Sequence, residues 1–577
     1  MNANPLKIAL LGNITTEFIG NAINNELSQR GLKAEIYNAP YKQYNQLSVD
    51  ISSELYKFKP DVIFLLLDGH TLFPQWYSIS GKPESAETCR KYVYDTFSSI
   101  EAVIINIHKN TSAKIIVNNF LLPYHTPMGI VDDRSPMGLK KMIKLLNSML
   151  EEAAASTDYL YVFDYNGFCS HIGHEKALDA KLSYLVKNPL SYGATKRLAH
   201  EYMRYLLPLS ALNKKCLVLD LDNTLWGGVA GEDGIGGIKL DISGEGASFY
   251  DFQNEILNLY NRGIILAINS KNNPEDVLDI MDKHPHMVLR SRYFSCMKIN
   301  WHDKAENMKQ IASELNIGPD SLVFFDDNPV ERELIKTTLP QVTVVDVPAD
   351  SGRYCDVLRD IVEFEALELT AEDRERNRMY LQNKEREQEQ QKYKSLQEYL
   401  ESLKTVITVS QANEFNIPRI AQLTQKTNQF NMTTRRYQPA DIAAMLKSGV
   451  YKVYCCSVSD RFGDNGITGC CIVKTDGDEA SIDTFLMSCR VLGRNAEYAF
   501  LSCAVNDLRM KGFGRIRAEF LPTEKNRQNS GFYQRAGFEA ESGSEGFTFI
   551  LESGMKAAEV DYITCATTSV KGDEGIG

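Results

Sequence analysis

The stretch CLVLDLDNTLWGGVAGEDG, residues 216–234, places two carboxylates at the end of an apolar run. Asp220 and Asp222 follow the run 217–219, and a glycine-rich segment follows them. A short apolar run with such boundaries is typical of a buried strand. Because ligands of open α/β sheets bind beyond the carboxyl ends of the strands, the stretch predicts a functional site at this strand end.

The composition indicates a large protein of ordinary globular type. The chain has 577 residues, of which 43% are hydrophobic, with a formal net charge of -12. At roughly 150 residues per domain, this length predicts three or four domains. The negative charge disfavours a nucleic-acid partner, and no run approaches the ~20 apolar residues of a membrane helix. The 12 cysteines include no C-x-x-C pair, and the N-terminal apolar run is too short for a secretory signal, so we expect a cytoplasmic protein.

The distribution of apolar runs divides this α/β multidomain chain into five segments. Alternating strand and helix patterns predict doubly wound α/β domains with parallel sheets over 1–210 and 211–360. The charge-rich segment 361–404 predicts a solvated helical connector. An α+β pattern covers 405–552, and the tail 553–577 shows no clear pattern, which is typical of a mobile end.

Further polar residues follow other strands of the second segment. Ser270 ends the run IILAINS, Asp326 and Asp327 end SLVFF, and Lys304 begins a predicted helix. Carboxylates at one sheet edge repel each other unless a cation lies among them, and oxygen ligands suit Mg²⁺. Lysine and serine would then donate to phosphoryl oxygens. The simpler alternative is that each acidic residue only caps a loop.

These residues resemble the haloacid dehalogenase superfamily of phosphotransferases. The sequence DLDNT at 220–224 matches its first motif, Ser270 its second, Lys304 its third, and the pair at 326–327 its fourth. The resemblance implies that Asp220 is the nucleophile that takes the phosphoryl group. It also implies that Asp222 acts as general acid and then as the base that activates water.

The same resemblance implies a metal site and a phosphate site. The Mg²⁺ ligands would be Asp220, the backbone carbonyl of Asp222, and one of the two residues Asp326 and Asp327, with Asp327 favoured. The phosphate would be held by Thr224, Ser270 and Lys304.

The spacing of the motifs leaves no room for a cap domain over the site. Residues 225–245 form only a glycine-rich flap, and residues 271–303 have room for about one helix and one strand. We therefore expect an open site that admits a bulky partner.

The sequences around these motifs narrow the resemblance to the FkbH-like proteins. The matching stretches are LDLDNTLWGGVAGEDG, NWHDKAEN, FFDDNPVERE, LTQKTNQFNMTTRRY, DRFGDNGITG and SCRVLGRNAE. The resemblance implies an enzyme that acts on 1,3-bisphosphoglycerate. Such an enzyme removes phosphate and loads the glyceryl group onto the phosphopantetheine arm of an acyl carrier protein.

The segment 405–552 resembles the Gcn5-related N-acetyltransferase (GNAT) fold. In that fold, R/Q-x-x-G-x-G/A opens a helix whose N–H groups hold a pyrophosphate. Arg490, Gly493 and Arg494 match this motif, but Asn495 stands where Gly or Ala is usual. This departure favours the arm of a carrier protein over acetyl-CoA as the ligand. The resemblance further implies that Asn529 and Tyr533 lie near the thiol of the cofactor.

Cys489 precedes this motif, and we hypothesise that it receives the acyl group before transfer to the carrier. A neighbouring arginine and a helix N-terminus favour the thiolate, the nucleophilic form. The alternative is a core cysteine at a strand end, and the pairs Cys455–Cys456 and Cys470–Cys471 are typical of strand packing.

Two polar motifs in this segment leave alternatives open. Asn428, Arg435 and Arg436 indicate either recognition of the carrier arm or a helix end and loop. The sequence RFGDNG predicts a β-turn at 464–466 that joins two strands, or a functional loop.

The first segment is similar to the SGNH-hydrolase fold, which needs serine in a G-D-S context. Here the equivalent begins Gly12-Asn13-Ile14, and no Asp-x-x-His follows, although Asp164 and His171 occur in the region. Since hydrolysis needs an activated hydroxyl, we expect a non-catalytic binding or assembly domain. Its residual pocket would be lined by Asn118, Asn119 and His125.

Two other functions remain open. A simple phosphatase for a small phosphate ester would need only residues 215–350 and would leave the segment 405–552 unused. A non-enzymatic scaffold for an assembly line is disfavoured by the complete set of phosphotransfer residues.

Overall fold

A computed structural model describes residues 5–78, 85–210, 212–369, 371–523, 525–541 and 547–568. The chain forms two compact units, Met1–Leu206 and Leu207–Gly577. In the described ranges, we find no helix with the length and apolarity needed to cross a membrane.

The first unit contains a five-stranded sheet in the order β2-β1-β3-β4-β5, with every pair parallel. Its chain order reverses between the neighbours β1 and β3, as in doubly wound folds. The strands are β1 (Leu6–Gly12), β2 (Ala34–Asn38), β3 (Val62–Leu66), β4 (Lys114–Asn118) and β5 (Leu160–Phe163). The helices are α1 (Glu17–Gln29), α2 (Tyr44–Val49), α3 (Glu54–Phe58), α4 (Gly69–Leu72), α5 (Ala86–Asn110), α6 (Leu139–Ala155), α7 (Tyr165–Ile172), α8 (His174–Ala177), α9 (Ala180–Val186) and α10 (Tyr192–Leu209).

The second unit begins with another parallel sheet, in the order β10-β9-β6-β7-β8. Its central strands are buried on both faces, which explains their unbroken apolar sequences. The strands are β6 (Cys216–Leu219), β7 (Ile265–Ser270), β8 (Phe294–Ile299), β9 (Leu322–Phe325) and β10 (Thr343–Val344). The helices are α11 (Ala230–Gly237), α12 (Ala247–Asn261), α13 (Pro274–Lys283), α14 (Lys304–Glu314), α15 (Pro329–Thr338) and α16 (Tyr354–Arg359).

The charge-rich segment is helical, but it is not the solvated connector that we expected. It contains α17 (Ala371–Arg374), α18 (Arg376–Gln390) and α19 (Leu396–Ser402). Asn377, Met379, Tyr380 and Arg386 on α18 are buried. The helix contacts β7 and β8 on one side and β13 (Gly463–Asp476) on the other. Buried contacts with both neighbouring sheets therefore override the polar composition of this helix.

The last part of the unit is an α+β layer, and the α/β multidomain class predicted from sequence is confirmed. Its sheet has eight strands in the order β16-β17-β15-β14-β13-β12-β11-β18. Besides β13, the strands are β11 (Val406–Gln411), β12 (Tyr451–Asp460), β14 (Glu479–Met487), β15 (Arg515–Glu519), β16 (Glu539–Ala540), β17 (Thr548–Leu551) and β18 (Thr564–Thr568). The helices are α20 (Ile417–Lys426), α21 (Pro439–Lys447), α22 (Ala496–Met510) and α23 (Phe532–Arg535).

Two local predictions in this layer are wrong. The tail is not patternless, since β18 pairs in parallel with β11 and extends the sheet. The β12–β13 turn lies at Arg461–Phe462 rather than at 464–466. The register shifts between the pairs Ser457↔Ile467 and Ser459↔Asp464 instead, which is a β-bulge.

A buried ion network joins α18 to the β12–β13 hairpin. The Asp460 side chain, which is fully buried, accepts hydrogen bonds from Arg386 Nε at 2.8 Å and Nη2 at 2.7 Å. It also accepts one from Arg494 Nη1 at 2.9 Å. Each charge is therefore compensated only while all three side chains stay in place.

We expect Asp460→Ala to destabilise the second unit by about 3–5 kcal/mol, because it leaves two buried guanidinium groups without their carboxylate. Denaturant unfolding of the full chain measures this change. The control is Asp476→Ala, at an exposed carboxylate at the end of β13, which should shift the free energy of unfolding by less than about 0.5 kcal/mol. Equal effects of the two substitutions would contradict the role of the network.

Candidate active site

The three central strands of the second sheet bring the motif residues to one edge. Leu219, the last residue of β6, lies between Ile268 of β7 and Phe325 of β9. The Asp220 N–H continues this ladder by donating to Phe325 O at 3.0 Å. The segments that follow the three strands therefore begin at the same edge of the sheet, and their polar residues lie close together.

Lys304, at the start of α14, lies between two of the carboxylates. Its Nζ is 3.1 Å from Asp220 Oδ2 and 2.6 Å from Asp326 Oδ2. Burial lowers the pKa of Lys304, but the charges of Asp220 and Asp326 outweigh burial, and the net pKa is raised. The lysine is therefore held charged at the centre of the acidic group.

The fourth-motif carboxylates are strained electrostatically. Burial, followed by the charge of Asp220, raises the pKa of Asp326 to about 7 and that of Asp327 to about 6. One carboxylate oxygen from each of Asp220, Asp326 and Asp327 lies within 4.8 Å of the other two. One lysine does not compensate three carboxylates, so the site favours an additional cation.

Two buried oxygen atoms at the site support this reading. Asp220 Oδ1 and Thr224 Oγ1 have no hydrogen-bond partner within the described residues. A buried polar atom without a partner costs free energy, so such atoms mark positions where a ligand completes the bonding. The donor set of hard carboxylate oxygens fits Mg²⁺, with Asp220, Asp326 and Asp327 as the residues able to hold it.

Asp222 lies outside this carboxylate group, and its side chain organises the flap. Asp222 Oδ1 accepts from Trp226 Nε1 at 3.0 Å and from Ala230 N at 2.9 Å. Asp222 Oδ2 accepts from Asn272 Nδ2 at 2.9 Å. Its side chain is thus directed away from the metal-ligand group, which leaves its backbone carbonyl as the predicted metal contact.

Two residues at the site, Asn272 and Arg332, were not predicted from the sequence. Asn272 links Asp222 to Ser270, whose Oγ accepts from Asn272 Nδ2 at 3.2 Å. Arg332 Nη1 donates to the backbone carbonyls of Asp326 and Asp327, both at 2.7 Å, and so holds the strand end in position. Both residues lie within seven positions of a motif, which is the only signal that the sequence offers.

The two intervals between motifs that could hold a cap domain are small, as expected. Residues 225–245 hold the short helix α11, and residues 271–303 hold α13 and β8 with a short 3-10 turn. Neither interval contains a further sheet or helical layer within the described residues. The carboxylate site is therefore not covered by a cap domain.

The structure corrects the roles expected for Arg490 and Arg494. Arg494 donates to Asp460, to Asn383 Oδ1 at 2.9 Å and to Arg490 O at 2.8 Å. Arg490 is also buried and contacts Met379 on α18. Both guanidinium groups face the helix α18 rather than the N-terminus of α22, so neither lines a carrier-arm site there.

The helix N-terminus itself differs from a pyrophosphate loop. Gly493 has φ 81°, and Asn495 is left-handed with φ 61°, a conformation that asparagine tolerates better than most residues. Asn495 Nδ2 donates to Tyr562 Oη of the tail at 2.6 Å. Glu497, in the first turn, is buried, and burial raises its pKa. A carboxyl group and a tail tyrosine therefore occupy the neighbourhood where an anion would bind.

The opening between β14 and β15 is filled by the chain itself. The two strands pair only up to Ile482↔Ala518. Beyond that point, Met432 N donates to Phe485 O at 3.0 Å, and Leu521 N donates to Met432 O at 2.8 Å. The segment around Met432 thus takes the main-chain bonds that a ligand in this opening would need.

Tyr533 is buried in the core, and Asn529 is bonded within the chain. Tyr533 is 1% exposed and lies against Phe532, Phe538 and Phe549. Asn529 Nδ2 donates to Gln429 O at 2.7 Å. The Tyr533 hydroxyl has no hydrogen-bond partner within the described residues, and the expectation that these two residues contact a cofactor thiol stays a prediction.

The remaining polar motif is bonded within the chain. Arg435 pairs with Asp483 at 3.0 Å and Glu519 at 2.6 Å, and Arg436 Nη2 donates to Asn428 Oδ1 at 2.8 Å. These bonds correspond to the helix-end alternative. A role in carrier recognition stays a prediction.

Cys489 lies at the end of the sheet opposite Asp220. Asn316, which follows α14, donates to Cys489 O at 2.6 Å. Lys304, at the carboxylate edge, begins this helix of 11 residues, so its length places Asn316 about 16 Å or more from that edge. Cys489 packs on the core cluster that contains Cys216, the first residue of β6. Cys489 is therefore remote from the carboxylates.

The candidate asparagines of the first unit form hydrogen bonds within the chain, and the residual pocket stays a prediction. The Asn118 side chain forms hydrogen bonds with the backbone N–H and carbonyl of Leu67. The Asn13 side chain does the same with Asp68. Asn119 donates to Asp164 at 2.8 Å, and His125 and His171 are exposed. Ile14 provides no hydroxyl where the G-D-S serine would lie, and these contacts form no nucleophile–histidine pair.

Two family models match parts of the chain. The family model described as FkbH, N-terminal domain, matches residues 7–204, and the model described as NLI interacting factor-like phosphatase matches residues 215–344. No curated protein sequence matches the chain.

Solved structures resemble different parts of the chain. One is the N-terminal part of a Bacteroides fragilis protein containing a phosphatase domain, complexed with Mg. It is 29% identical, covers 63% of this chain and 95% of its own, and has a TM-score of 0.58. The ribosomal-protein-S18-alanine N-acetyltransferase from Escherichia coli is 13% identical, covers 27% and 95%, and has a TM-score of 0.20. A GNAT-family acetyltransferase from Staphylococcus aureus is 10% identical, covers 25% and 98%, and has a TM-score of 0.21.

We expect Mg²⁺ to raise the melting temperature of the second unit more at pH 8 than at pH 5.5. The raised pKa values of Asp326 and Asp327 mean that protons compete with the cation at the lower pH. At 100 times the Kd, bound Mg²⁺ would add about 2.7 kcal/mol of stability. Differential scanning calorimetry with Mg²⁺ and with EDTA measures the difference. Asp326→Asn should abolish most of the Mg²⁺ effect, and an undiminished effect in that variant would contradict the site.

Proposed function

Because the chain combines an FkbH N-terminal domain with a phosphatase domain of the haloacid dehalogenase type, we propose that it is a Mg²⁺-dependent glyceryl (acyl) transferase. Its substrate would be a phosphorylated three-carbon acyl donor such as 1,3-bisphosphoglycerate. It would remove phosphate and load the acyl group onto the phosphopantetheine thiol of an acyl carrier protein in the cytoplasm.

The main support for the proposed phosphotransfer is that Asp220, Lys304, Asp326 and Asp327 lie close together. At one edge of the sheet, these side chains provide a nucleophile, a buried ammonium group and two further carboxylates that could bind a metal. Bound Mg²⁺ would act as a Lewis acid that stabilises charge on the transferring phosphoryl group.

In the proposed phosphotransfer, Asp220 attacks phosphorus and the bond from phosphorus to the leaving oxygen breaks. Asp222 first gives a proton to the leaving oxygen and then takes one from the water that hydrolyses the aspartyl phosphate. Lys304, Ser270 and Thr224 hold the phosphoryl oxygens. The unpartnered hydroxyl of Thr224 supports the last assignment.

The acyl transfer must be a separate reaction. If Asp220 took the phosphoryl group of an acyl phosphate, the product would be a carboxylate, which has lost its activation. A thiol must instead attack the acyl carbon, so that the bond from that carbon to the phosphate oxygen breaks and phosphate leaves. We therefore assign Asp220 to the phosphate ester of the donor and a thiol to its acyl phosphate.

The position of Cys489 supports this division into two reactions. The cysteine is partly exposed and distant from Asp220, so one substrate position cannot serve both groups. A carrier arm would approach the uncapped carboxylate site for removal of the ester phosphate. Cys489 would hold the acyl group as a thioester before the carrier thiol displaces it.

The first unit would have an SGNH-like fold and serve binding or assembly rather than catalysis. The isoleucine at the serine position supports this proposal, because it leaves no hydroxyl to be activated.

A second candidate is a stand-alone phosphatase for a small phosphate ester in polysaccharide or secondary-metabolite biosynthesis. It is favoured by the filled opening between β14 and β15, which leaves the acyltransferase-like layer without an evident cofactor slot.

Intact-mass analysis of candidate holo-carrier proteins tests the proposal. After incubation with this protein, Mg²⁺ and 1,3-bisphosphoglycerate, the carrier should gain one glyceryl group without phosphate. Asp220→Asn should lower phosphate release from the ester by at least about 10³-fold, and the carrier should then retain the phosphorylated acyl group. Phosphate release with unmodified carriers throughout would leave only the phosphatase.

Cys489→Ser tests the thioester step. We expect loss of carrier loading with phosphate release from a simple ester unchanged, because Cys489 is remote from Asp220. Digestion after reaction with labelled donor should place the label on the peptide that contains Cys489. Cys355→Ser, at another partly exposed cysteine, is the control. An unlabelled Cys489 peptide together with full loading by the variant would exclude the intermediate.

A further inference from the structure

A second group of charged side chains lies where α18 and α20 meet the start of β6, away from the carboxylate site. We define the basic cluster as Lys215, Arg376, Lys426 and Arg490. Its members come from four different segments of the second unit, and each interacts electrostatically with another member. Lys215 and Arg376 also interact with Cys489.

Asp373 is the carboxylate that anchors two members of the basic cluster. It forms an ion pair with Arg376 and lies 3.4 Å from Lys426 Nζ. Its Oδ2 also accepts from Gln422 Nε2 at 2.5 Å. Asp373 is 1% exposed, so this part of the cluster is well inside the protein.

Arg490 has no such anion. Its side chain is 8% exposed, its Nε donates to Ser488 Oγ at 3.2 Å, and its Nη1 contacts the Met379 sulphur. No carboxylate of the described residues forms an ion pair with it. Met379 and Arg376 are three positions apart on α18, so they share a helix face and bring the two guanidinium groups together.

Lys215 completes the group from the other side. Its carbonyl accepts from Ile265 N at 2.9 Å, and the nearby Gly263 carbonyl accepts from Arg376 Nη1 at 3.1 Å. Within the part of the chain that the structure describes, its ammonium has no ion-pair or hydrogen-bond partner. The cluster thus places four positive charges around Asp373, and the charge of Asp320 also acts on Lys215.

The electrostatics agree with an excess of buried positive charge. Burial, followed by the charge of Arg490, lowers the pKa of Arg376 to about 10. Burial and the surrounding cations also lower the pKa of Lys426 well below its usual range. Burial lowers the pKa of Lys215, and Arg376 lowers it further, whereas Cys489 and Asp320 act in the opposite direction. An anion among these groups would reverse these effects.

We propose that the basic cluster is a phosphate-binding site, separate from the carboxylate site and adjacent to the Cys489 thiol. Buried guanidinium groups bind phosphate oxygens with strong charge-assisted hydrogen bonds. The side chains of Lys426 and Arg376 are 23% and 17% exposed, so the cluster borders solvent at these two residues.

The choice of ligand rests on the proposed function, whereas the site itself does not. Beside Cys489, the cluster would hold either the leaving phosphate of the acyl donor or the phosphate that attaches pantetheine to a carrier. Both are phosphate groups, and in both cases the cluster would fix the reacting group near the thiol.

The test uses the full-length Asp220→Asn protein in EDTA, so that the carboxylate site contributes no metal-dependent phosphate binding. Inorganic phosphate, 4′-phosphopantetheine and pantetheine are titrated, and alkylation of Cys489 by iodoacetamide is followed by peptide mass spectrometry. We expect the two phosphate compounds, but not pantetheine, to slow alkylation of Cys489 and to raise the melting temperature. Tighter protection by phosphopantetheine would indicate the carrier arm, and equal protection would indicate the phosphate of the donor.

Lys426→Gln should raise the apparent Kd for phosphate at least about tenfold, with Lys474→Gln, at an exposed lysine of β13, as the matched control. The absence of phosphate protection, or identical Kd values in Lys426→Gln and Lys474→Gln, would overturn the site. Carrier loading by the wild-type protein is measured in parallel, so failure of this site is distinguishable from failure of the proposed function.

Discussion

The ammonium of Lys304 is the contact on which the carboxylate site depends. It joins Asp220 at the end of β6 to Asp326 at the end of β9, and it is almost completely buried. Two carboxylates at neighbouring strand ends would otherwise repel each other, and the third, on Asp327, adds to that repulsion. A single lysine leaves negative charge uncompensated, so the same geometry that stabilises the sheet edge also selects a metal cation and a phosphoryl group.

The second unit combines two electrostatic environments of opposite sign. The carboxylate site lies beyond the carboxyl ends of the strands, and the basic cluster lies near their other ends, beside Cys489. The helix α18 links this cluster to the hairpin of the last sheet through Arg386 and Asp460. In the proposed function, phosphoryl and acyl chemistry are divided between the two regions, because only attack at the acyl carbon preserves the activated acyl group.

Much of the carboxylate site could be predicted from the sequence. Strand ends in a parallel sheet meet at one edge, so apolar runs that finish in Asp220, Ser270 and Asp326 already indicate a common site. Asn272 and Arg332 could not be assigned from spacing, because their roles depend on side-chain directions after the strands end. The acyltransferase-like motif was less informative, because a motif specifies residue types but not whether Arg494 faces a ligand or pairs with Asp460.

The sequence by itself determined the fold class and the carboxylates and lysine of the carboxylate site, because hydrophobic periodicity and strand-end chemistry are local properties of the chain. Only the tertiary structure decided the burial of the charged helix α18, the pairing of the tail strand with β11, and the filling of the opening between β14 and β15. It also placed Lys215, Arg376, Lys426 and Arg490 together. These features depend on contacts between residues far apart in the chain, which no local pattern records.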